Sequence, residues 1–282
     1  MSKIAHLILA HNHPEQLTRL INRLTHSDAH IYIHLDGKAN VEPFAELLKT
    51  PNVYLIQKRV KVYWGSYSIV QATINSFAQI LATKNPYSHI NLLSGNDYPI
   101  KNIQQIHEFL DQHSTSIFME YVTTDSEWWT LIKTRLTRYH LTDFHFPGCY
   151  QAQLLLNKIM PERKLPKSLV FVGRSQWLTI TCESAQYVID YLKKNSKTRR
   201  FFRFSWGADE VMIQTIIYSS PFKDQIVNNN YRYIDWSEQN SSPKTLNMDD
   251  AEKIMQSPCL FARKFDMAKE PEILNYLDIA LS

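Results

Sequence analysis

The alternation of strand and helix patterns between residues 3 and 93 constrains the fold of this chain more than any other feature. Lys3 to Ala10 is a continuous apolar run of strand length, and Pro14 opens a segment whose apolar residues recur every three or four positions. The same reasoning predicts strands over residues 31–36, 52–57 and 89–93, and a long helix over 66–81 that Ser66 can cap. This order predicts an α/β fold with a Rossmann-like, largely parallel central sheet flanked by helices. We expect one domain over residues 1–282.

Polar residues follow the predicted strands at their carboxyl ends. Ala10-His11 ends the first strand, Asp36 ends the second, and Asp97 lies in a polar turn after the fourth. Open parallel sheets bind ligands at this edge, so we expect the site near Ala10, Asp36 and Asp97. His34 and Asp36 share a face, but a lone HxD motif leaves three interpretations open: a pair of metal ligands, a contact to a ribose or a base, or a turn cap. No GxGxxG follows the first strand and no GxxxxGK[ST] occurs, which disfavours dinucleotide cofactors and P-loop chemistry.

The second half of the chain is less regular. Residues 126–148 are polar and aromatic, and we predict that they form an excursion over the binding face. A strand and turn are predicted over 170–177, a helix over 183–193, a helical run after residue 206, and short strands over 231–236 and 259–265.

The amino-acid composition of the chain limits the classes of partner that we expect it to bind. Hydrophobic residues make up 44% of the chain and charged residues 21%, which is the balance of an ordinary globular protein, and the net charge is +4. We expect no nucleic-acid partner, because non-specific binding to nucleic acid needs a concentrated basic patch. The one dense basic run, residues 193–200, is interpreted either as a solvated helix end or as a contact for an anionic membrane surface or an acidic glycan.

Three cysteines, at positions 149, 182 and 259, are odd in number and widely spaced, which predicts neither a disulfide framework nor a zinc site. No apolar stretch approaches the roughly 20 residues that a membrane-spanning helix needs. A reducing, cytoplasmic setting is the simplest expectation, and peripheral contact at the inner face of the membrane is compatible with it.

Asp209-Glu210 is the strongest candidate for catalytic chemistry. The pair lies behind Trp206 and Gly207, where a helical pattern begins. One interpretation is a favourable contact with the helix dipole, which would also favour the ionised carboxylates. The other is catalytic, because an inverting sugar transfer needs a carboxylate that takes the proton of the acceptor hydroxyl. Trp206 could then pack on the acceptor ring.

Cations near the end of the chain are candidates for binding a diphosphate. Arg263 and Lys264 are flanked by large apolar residues, so they are less ordinary than a plain solvated surface pair. Fixed cations stabilise the negative charge of a diphosphate leaving group without Mg²⁺, and Arg232 and Lys244 could join them. The alternative is a structural ion pair with a neighbouring aspartate.

Taken together, seven segments resemble the core-2/I-branching β-1,6-N-acetylglucosaminyltransferase family, which also contains the peptide O-xylosyltransferases. They occur in the family's order and span nearly the whole chain: residues 10–12, 34–38, 62–66, 91–101, 173–177, 208–210 and 260–266. The resemblance implies a GT-A-like fold, a UDP-sugar donor, a glycan hydroxyl as acceptor, inversion at the anomeric carbon and no metal or other cofactor. The implied sugar is N-acetylglucosamine or a related one.

The resemblance also assigns roles to individual residues. The catalytic base of the family falls on Glu210, and no residue is expected to hold a metal. The contacts to the uridine of the donor fall on Ala10, His11 and Asp36. The contacts to its diphosphate fall on Arg263 and Lys264, with Lys244 and Arg232 as further candidates. The contacts to the acceptor fall on Asp97 and Trp206.

The chain also departs from the family pattern. Vertebrate members carry an N-terminal anchor and many disulfides, so the resemblance is to a short bacterial-type member that decorates a surface polysaccharide or a lipid-linked oligosaccharide. Two alternatives remain. One is a catalytically silent sugar- or nucleotide-binding protein on the same fold, which the presence of Glu210, Arg263 and Lys264 argues against. The other is a metal-dependent enzyme that uses Asp36.

Overall fold

The structure is a computed structural model that describes residues 2–281. Its strands are β1 Lys3–Ala10, β2 Ala29–Leu35, β3 Val53–Leu55, β4 Tyr87–Ser94, β5 Tyr98–Pro99, β6 Ile117–Val122, β7 Gly173–Thr181, β8 Ile226–Val227, β9 Arg232–Ile234 and β10 Phe261–Arg263. Its helices are α1 Pro14–Leu24, α2 Tyr67–Ala82, α3 Ile103–Gln112, α4 Glu127–Thr137, α5 Cys149–Ile159, α6 Cys182–Lys194, α7 Ser196–Arg203, α8 Met212–Tyr218, α9 Ala251–Gln256 and α10 Pro271–Ala280. In this described range no helix has both the length and the apolar character needed to cross a bilayer.

Within residues 2–281, seven strands form one sheet in the order β3-β2-β1-β4-β7-β6-β8, and β5, β10 and β9 form a second sheet. β1 pairs in parallel with both β2 and β4, and β2 pairs in parallel with β3. β7 is antiparallel to its two neighbours, β4 and β6. The carboxyl ends of β1, β2 and β4 therefore meet at one edge of the large sheet.

Apolar side chains cover both faces of the large sheet. Because side chains alternate along a strand, Ala5 and Leu7 of β1 pack on one face, whereas Ile4 and Ile8 pack on the other. Residues of α2, α6 and α8 cover the first face, and residues of α1, α3 and α10 cover the second. The predicted α/β class, with a largely parallel central sheet flanked by helices, is confirmed.

The first half of the chain follows the predictions closely. β1 and β4 lie where apolar runs predicted strands, and β2 ends at Leu35, one residue before Asp36. Ser66 caps α2 by accepting a hydrogen bond from the backbone N–H of Ser68. Strands that are buried on both faces carry long apolar runs, and this is why their positions could be predicted well.

The second half contains several helices that the sequence pattern does not predict, among them α5, α7, α9 and α10. Within residues 126–148, for which we predict an excursion over the binding face, residues 127–137 form α4 and bury Trp129 and Ile132. β7 extends over residues 173–181, and it begins where a turn was predicted. A Cβ at Gly173 would lie 2.4 Å from the carbonyl oxygen of Glu210. This glycine therefore allows a close backbone approach and does not mark a turn.

Candidate active site

The carboxyl ends of β1, β2 and β4 form the first part of the candidate site. The backbone N–H of Asp36 donates to the Ala10 carbonyl at 2.8 Å, and that of Gly95 donates to the Leu9 carbonyl at 3.1 Å. A Cβ at Gly95 would lie 3.8 Å from the Cβ of Ala10. The structure therefore brings together Ala10, Asp36 and the polar turn after β4, as the strand order requires.

The Asp36 carboxylate is buried by the turn that follows it. Its Oδ1 accepts hydrogen bonds from the backbone N–H groups of Lys38 at 2.8 Å and Val62 at 3.3 Å. His34 Nε2 accepts one from the N–H of Val60 at 3.0 Å. The HxD pair thus holds the loop of residues 60–66. Within residues 2–281, no group of three or more His, Cys, Asp or Glu side chains is arranged to hold a metal ion.

Three cations or potential cations gather near Asp36. His11 is exposed, and the charges that act on it include those of Asp36, Lys38 and Lys264. Lys38 Nζ lies 3.6 Å from Asp36 Oδ2. Lys264 Nζ donates to Ser242 Oγ at 3.5 Å and forms no ion pair with a carboxylate of the described residues. Lys264 therefore presents an uncompensated charge at this edge of the sheet.

Arg263 and Asp97 form a buried ion pair. Arg263 Nε lies 2.9 Å from Asp97 Oδ1, and 14% and 1% of the two side chains are exposed, respectively. The guanidinium carbon of Arg263 also lies 4.2 Å from the centroid of the Trp177 ring. Burial lowers the pKa of Arg263, and Asp97 opposes this shift. The position of Asp97 differs from the acceptor contact expected for it, because a carboxylate with 1% exposure presents almost no surface to a sugar.

Arg232 begins β9 of the second sheet, and its buried guanidinium contacts both β4 and β7 of the large sheet. Its Nη2 donates to the side-chain oxygen of Asn91 and to the Leu92 carbonyl, and its Nη1 donates to Thr179 Oγ1 at 3.2 Å. Burial lowers the pKa of Arg232 to about 10, and the nearby carboxylate of Asp97 opposes this shift. This position differs from the diphosphate contact expected for Arg232, because the guanidinium bonds to interior acceptors and the residue is buried.

Lys244 is held by a carboxylate. Its Nζ lies 2.8 Å from Asp250 Oδ1, and Asp250 Oδ2 accepts a hydrogen bond from the backbone N–H of Asn247 at 3.0 Å. The structural ion pair left open by the sequence is therefore the arrangement that Lys244 adopts. A diphosphate at this position would have to compete with Asp250 for the ammonium group.

The loop of residues 60–66 connects the strand ends to the second part of the site. The Gly65 carbonyl accepts a hydrogen bond from the N–H of Gly207 at 2.8 Å, and the N–H of Trp206 donates to the Arg135 carbonyl at 2.9 Å. Gly65 has a φ of 69°, which L side chains rarely adopt. A Cβ there would lie 2.1 Å from Trp206 Nε1, so only glycine allows the indole to pack on the loop. Trp206 is thus held between this loop and α4.

Glu210 ends the one-turn 3-10 helix Ala208–Glu210. Its Oε2 lies 3.3 Å from Arg135 Nη1, and 36% of its side chain is exposed. Burial, and to a smaller extent the Asp209 carboxylate, raise the pKa of Glu210 to about 7 even at this exposure, against the opposing effects of Arg135 and Arg174. We expected a helix start to favour the ionised form. The net shift is opposite, because desolvation and a like charge outweigh one turn of helix.

Asp209, the other carboxyl group of the pair, turns away from solvent. Its Oδ1 is buried and has no hydrogen-bond partner among residues 2–281. Burial raises the pKa of Asp209 to about 6, against the effects of a backbone hydrogen bond and of Arg135. Of the two carboxyl groups, Glu210 is the one placed to meet a ligand.

Arg135 is a site residue that the sequence analysis missed. Its guanidinium carbon lies 4.2 Å from the centroid of the Trp206 ring, while its Nη1 reaches Glu210. The Arg135 guanidinium therefore contacts both the Trp206 ring and the Glu210 carboxylate. The available signal was the helical spacing of the three buried apolar residues of α4, Trp129, Ile132 and Leu136, which predicts a helix that includes Arg135.

A basic cleft of about 800 Å³ lies next to the loop of residues 60–66. Its lining includes the cations Lys61, Lys197, Arg199, Arg200 and Arg203, together with Tyr63, Tyr67 and Phe204. Asp143 is the one acidic residue among the described residues of the lining, and its Oδ1 accepts a hydrogen bond from the backbone N–H of Ser68 at 3.1 Å. The later part of the basic run therefore forms α7 and faces a concave surface, which a plain solvated helix end would not.

Comparison with known proteins relates this chain to a family of enzymes. A family model described as "Branch: Core-2/I-Branching enzyme" matches residues 4–257. Xylosyltransferase 2 of the rat is 25% identical over 99% of this chain and 34% of its own length, and xylosyltransferase 1 of the dog is 26% identical over 99% and 30%. The chain thus spans about a third of the length of these relatives. Among solved structures, apo mouse xyloside xylosyltransferase 1 aligns with a TM-score of 0.40 and 12% identity, over 92% of this chain and 97% of that one.

Proposed function

The chain belongs to the Core-2/I-Branching enzyme family, and we propose that it is an inverting glycosyltransferase that transfers a sugar from a UDP-sugar to a hydroxyl group of a glycan. The observation that carries the proposal is the environment of Glu210. This carboxylate is partly exposed, has a pKa of about 7, and lies beside Arg135, whose guanidinium stacks on Trp206. The loop of residues 60–66 connects it to the ligand-binding edge of the sheet.

In this proposal Glu210 is the general base. The acceptor hydroxyl gives its proton to the Glu210 carboxylate as its oxygen forms a bond to the anomeric carbon. The bond between that carbon and the diphosphate oxygen breaks, and its electron pair leaves with UDP. Because the acceptor attacks opposite the leaving group, the configuration inverts. A general base is most effective when its pKa is near the working pH, which burial and the neighbouring Asp209 provide.

The donor is proposed to bind at the carboxyl ends of β1, β2 and β4, with its uridine near Ala10, His11 and Asp36. Lys264 is the cation proposed for the diphosphate, because it has no carboxylate partner among the described residues. Arg263 lies beneath the surface, where the Asp97 carboxylate compensates its charge, so Lys264 carries this part of the proposal. Fixed cations stabilise the charge that develops on a leaving group, so we propose that transfer requires no metal.

The transferred sugar and the acceptor are also proposals. The relatives are named xylosyltransferases, and the family is named for branching enzymes. UDP-xylose and UDP-N-acetylglucosamine are therefore the first donors to test, together with UDP-glucose, UDP-galactose and UDP-glucuronate. The proposed acceptor is a glycan chain, either free or carried as a lipid-linked oligosaccharide.

The decisive experiment compares turnover of these donors by the wild type, Glu210→Gln and the matched control Asp209→Asn. Glu210→Gln should lower kcat by about 10²–10⁴-fold, because the amide keeps the shape of the side chain but accepts no proton. The affinity for UDP, measured by calorimetry, should change little. Asp209→Asn should reduce kcat less, since that side chain faces inward. Near-normal turnover in Glu210→Gln would place the base elsewhere.

Two further measurements separate the alternatives. A wild-type protein that binds UDP in calorimetry but turns over no donor would be a silent binding protein. Lys264→Ala should lower kcat by about 10²–10³-fold, by analogy with the loss of one donor from a preorganised anion site, while EDTA should have no effect. Activity that survives Lys264→Ala, disappears with EDTA and returns with Mn²⁺ would instead establish metal-dependent transfer.

A further inference from the structure

Helix α5 exposes its apolar side to solvent. Its side chains are separated by about 100° per residue, which places Tyr150, Leu154, Leu155 and Ile159 on one half of the helix surface. These four residues are 66%, 52%, 59% and 67% exposed, and none of the 11 residues of α5 is buried. A surface helix of a globular protein ordinarily turns its apolar side toward the core.

The side of α5 that faces the protein is less exposed, and it carries Gln153 and Asn157 beside Cys149, Ala152 and Leu156. Gln153 Oε1 accepts a hydrogen bond from the backbone N–H of Leu141 at 2.8 Å. Asn157 pairs with both backbone groups of Tyr139, since its Oδ1 accepts from the N–H and its Nδ2 donates to the carbonyl, each at 2.8 Å. These amides fix the rotation of α5 about its own axis. The apolar side is therefore held outward by specific bonds.

Two apolar residues that flank the helix are also exposed. Phe146, just before α5, is 47% exposed, and Met160, just after it, is 43% exposed. A concentration of exposed apolar side chains of this kind is typical of a site of interaction with a protein or a membrane.

The surroundings of α5 are basic. Lys158 and Gln151 lie in the middle of the apolar side, and Lys164 and Lys167 are exposed beyond its end together with a single carboxylate, Glu162. The segment that leads into α5 packs on the end of α7, because the N–H of His140 donates to the Phe204 carbonyl at 2.9 Å. The exposed cations of α7 are Lys197, Arg199, Arg200 and Arg203, and none forms an ion pair with a carboxylate of residues 2–281.

We propose that α5 lies in the surface of a membrane that contains anionic lipids, with its apolar side buried and the cations of α7 against the lipid phosphates. Interfacial helices combine these two features, an apolar side and neighbouring Lys or Arg residues. The Lys158 side chain is long enough to extend its ammonium group back to the headgroups. A second copy of the chain fits less well, because pairing of two α5 helices through their apolar sides would bury the Lys158 ammonium group of each copy in the contact.

The proposal does not depend on the glycosyltransferase activity and is tested by vesicle co-sedimentation of the full chain. The vesicles are made of phosphatidylcholine alone or of equal parts phosphatidylcholine and phosphatidylglycerol. The wild type should sediment with the mixed vesicles, and less so at high salt. The double variant Leu154→Gln/Leu155→Gln should bind at least about tenfold more weakly, from the transfer free energy of two leucines. Lys158→Gln should lose about fivefold on the mixed vesicles and nothing on the neutral ones.

Met248→Gln is the matched control, because Met248 is an exposed apolar side chain on another segment, and it should bind like the wild type. Circular dichroism and thermal unfolding establish that each variant is folded. Wild-type protein that stays in the supernatant with both vesicle types overturns the proposal, as does equal binding by the double leucine variant. Sedimentation without vesicles is the second measurement. A wild-type dimer that the leucine variant dissociates would assign this surface to a second copy.

Discussion

Three histidines packed between β1 and α3 should make the stability of the protein sensitive to acid. The ring centroid of His107 lies 4.1 Å from that of His26 and 6.0 Å from that of His6. Among residues 2–281, neither ring nitrogen of His107 has a hydrogen-bond partner. Burial, and to a smaller extent His26, lower the pKa of His107 to about 4 against the opposing effects of Asp28 and Asp111. Burial likewise lowers the pKa of His6 well below 6.5.

The sign and size of the effect follow from the two pKa values of His107. The unfolded chain binds a proton near the ordinary value of 6.5, whereas the folded chain binds it only near 4. Stability is therefore at its full value above pH 6.5, falls as the pH drops from 6.5 to about 4, and is constant below that range as far as His107 is concerned. The difference between the pKa values of His107 in the unfolded and the folded chain corresponds to about 3 kcal/mol of unfolding free energy. This is a large share of the roughly 5–15 kcal/mol that stabilises a typical protein.

His107→Leu removes the ionisable group while keeping a side chain of similar size. The free energy of unfolding, measured by urea titration across this pH range, should fall by about 3 kcal/mol less in the variant than in the wild type. At neutral pH the variant should be at least as stable, because two unpaired buried nitrogens, each of which costs about 1–3 kcal/mol, have been removed. His113→Leu, which removes an exposed imidazole, should keep the acid sensitivity of the wild type. Equal acid slopes for His107→Leu and the wild type would refute the reasoning.

Two further predictions concern the candidate active site. Gly65→Ala should lower both the melting temperature and kcat more than Gly207→Ala does. Both positions have a φ of 69°, but only the Cβ at residue 65 would collide with Trp206, at 2.1 Å. Similar effects of the two variants on the melting temperature, measured by differential scanning calorimetry, and on turnover would contradict this prediction. The acid limb of the pH–kcat profile should lie near pH 7, the pKa of Glu210, with activity lost as the pH falls. Asp209→Asn should move that limb to lower pH, since it removes a neighbouring negative charge, and an unchanged limb would show that Asp209 does not act on the base.

The strand ends could be predicted because they depend on local sequence. A buried strand needs a run of apolar residues, and the run stops where polar residues take over, so Ala10, Asp36 and the turn after β4 could be placed without knowledge of the remainder. Glu210 was found through its position behind Trp206 and through the family motif. Its raised pKa could not be predicted, because it depends on burial and on charges from other segments, such as Arg135.

The surroundings of the candidate cations could not be predicted from the sequence. Lys264, Arg263 and Arg232 carry the same charge, yet Lys264 forms no ion pair among the described residues, Arg263 pairs with Asp97, and Arg232 bonds to β4 and β7 of the large sheet. Those differences come from contacts with residues far along the chain. For α5, an apolar helical pattern indicates which residues share a side but not whether that side faces the protein or the solvent.

Arg232 also bears on how the chain is completed during synthesis. Every strand of the seven-stranded sheet in residues 2–281 ends at or before Val227, so all of them are translated before Arg232. Its guanidinium nevertheless supplies the donors for Asn91 and the Leu92 carbonyl on β4 and for Thr179 on β7. A nascent or truncated chain that ends before Arg232 would therefore contain all seven strands of this sheet but lack the guanidinium that bonds to both β4 and β7. It would leave a polar gap at the seam between these two strands.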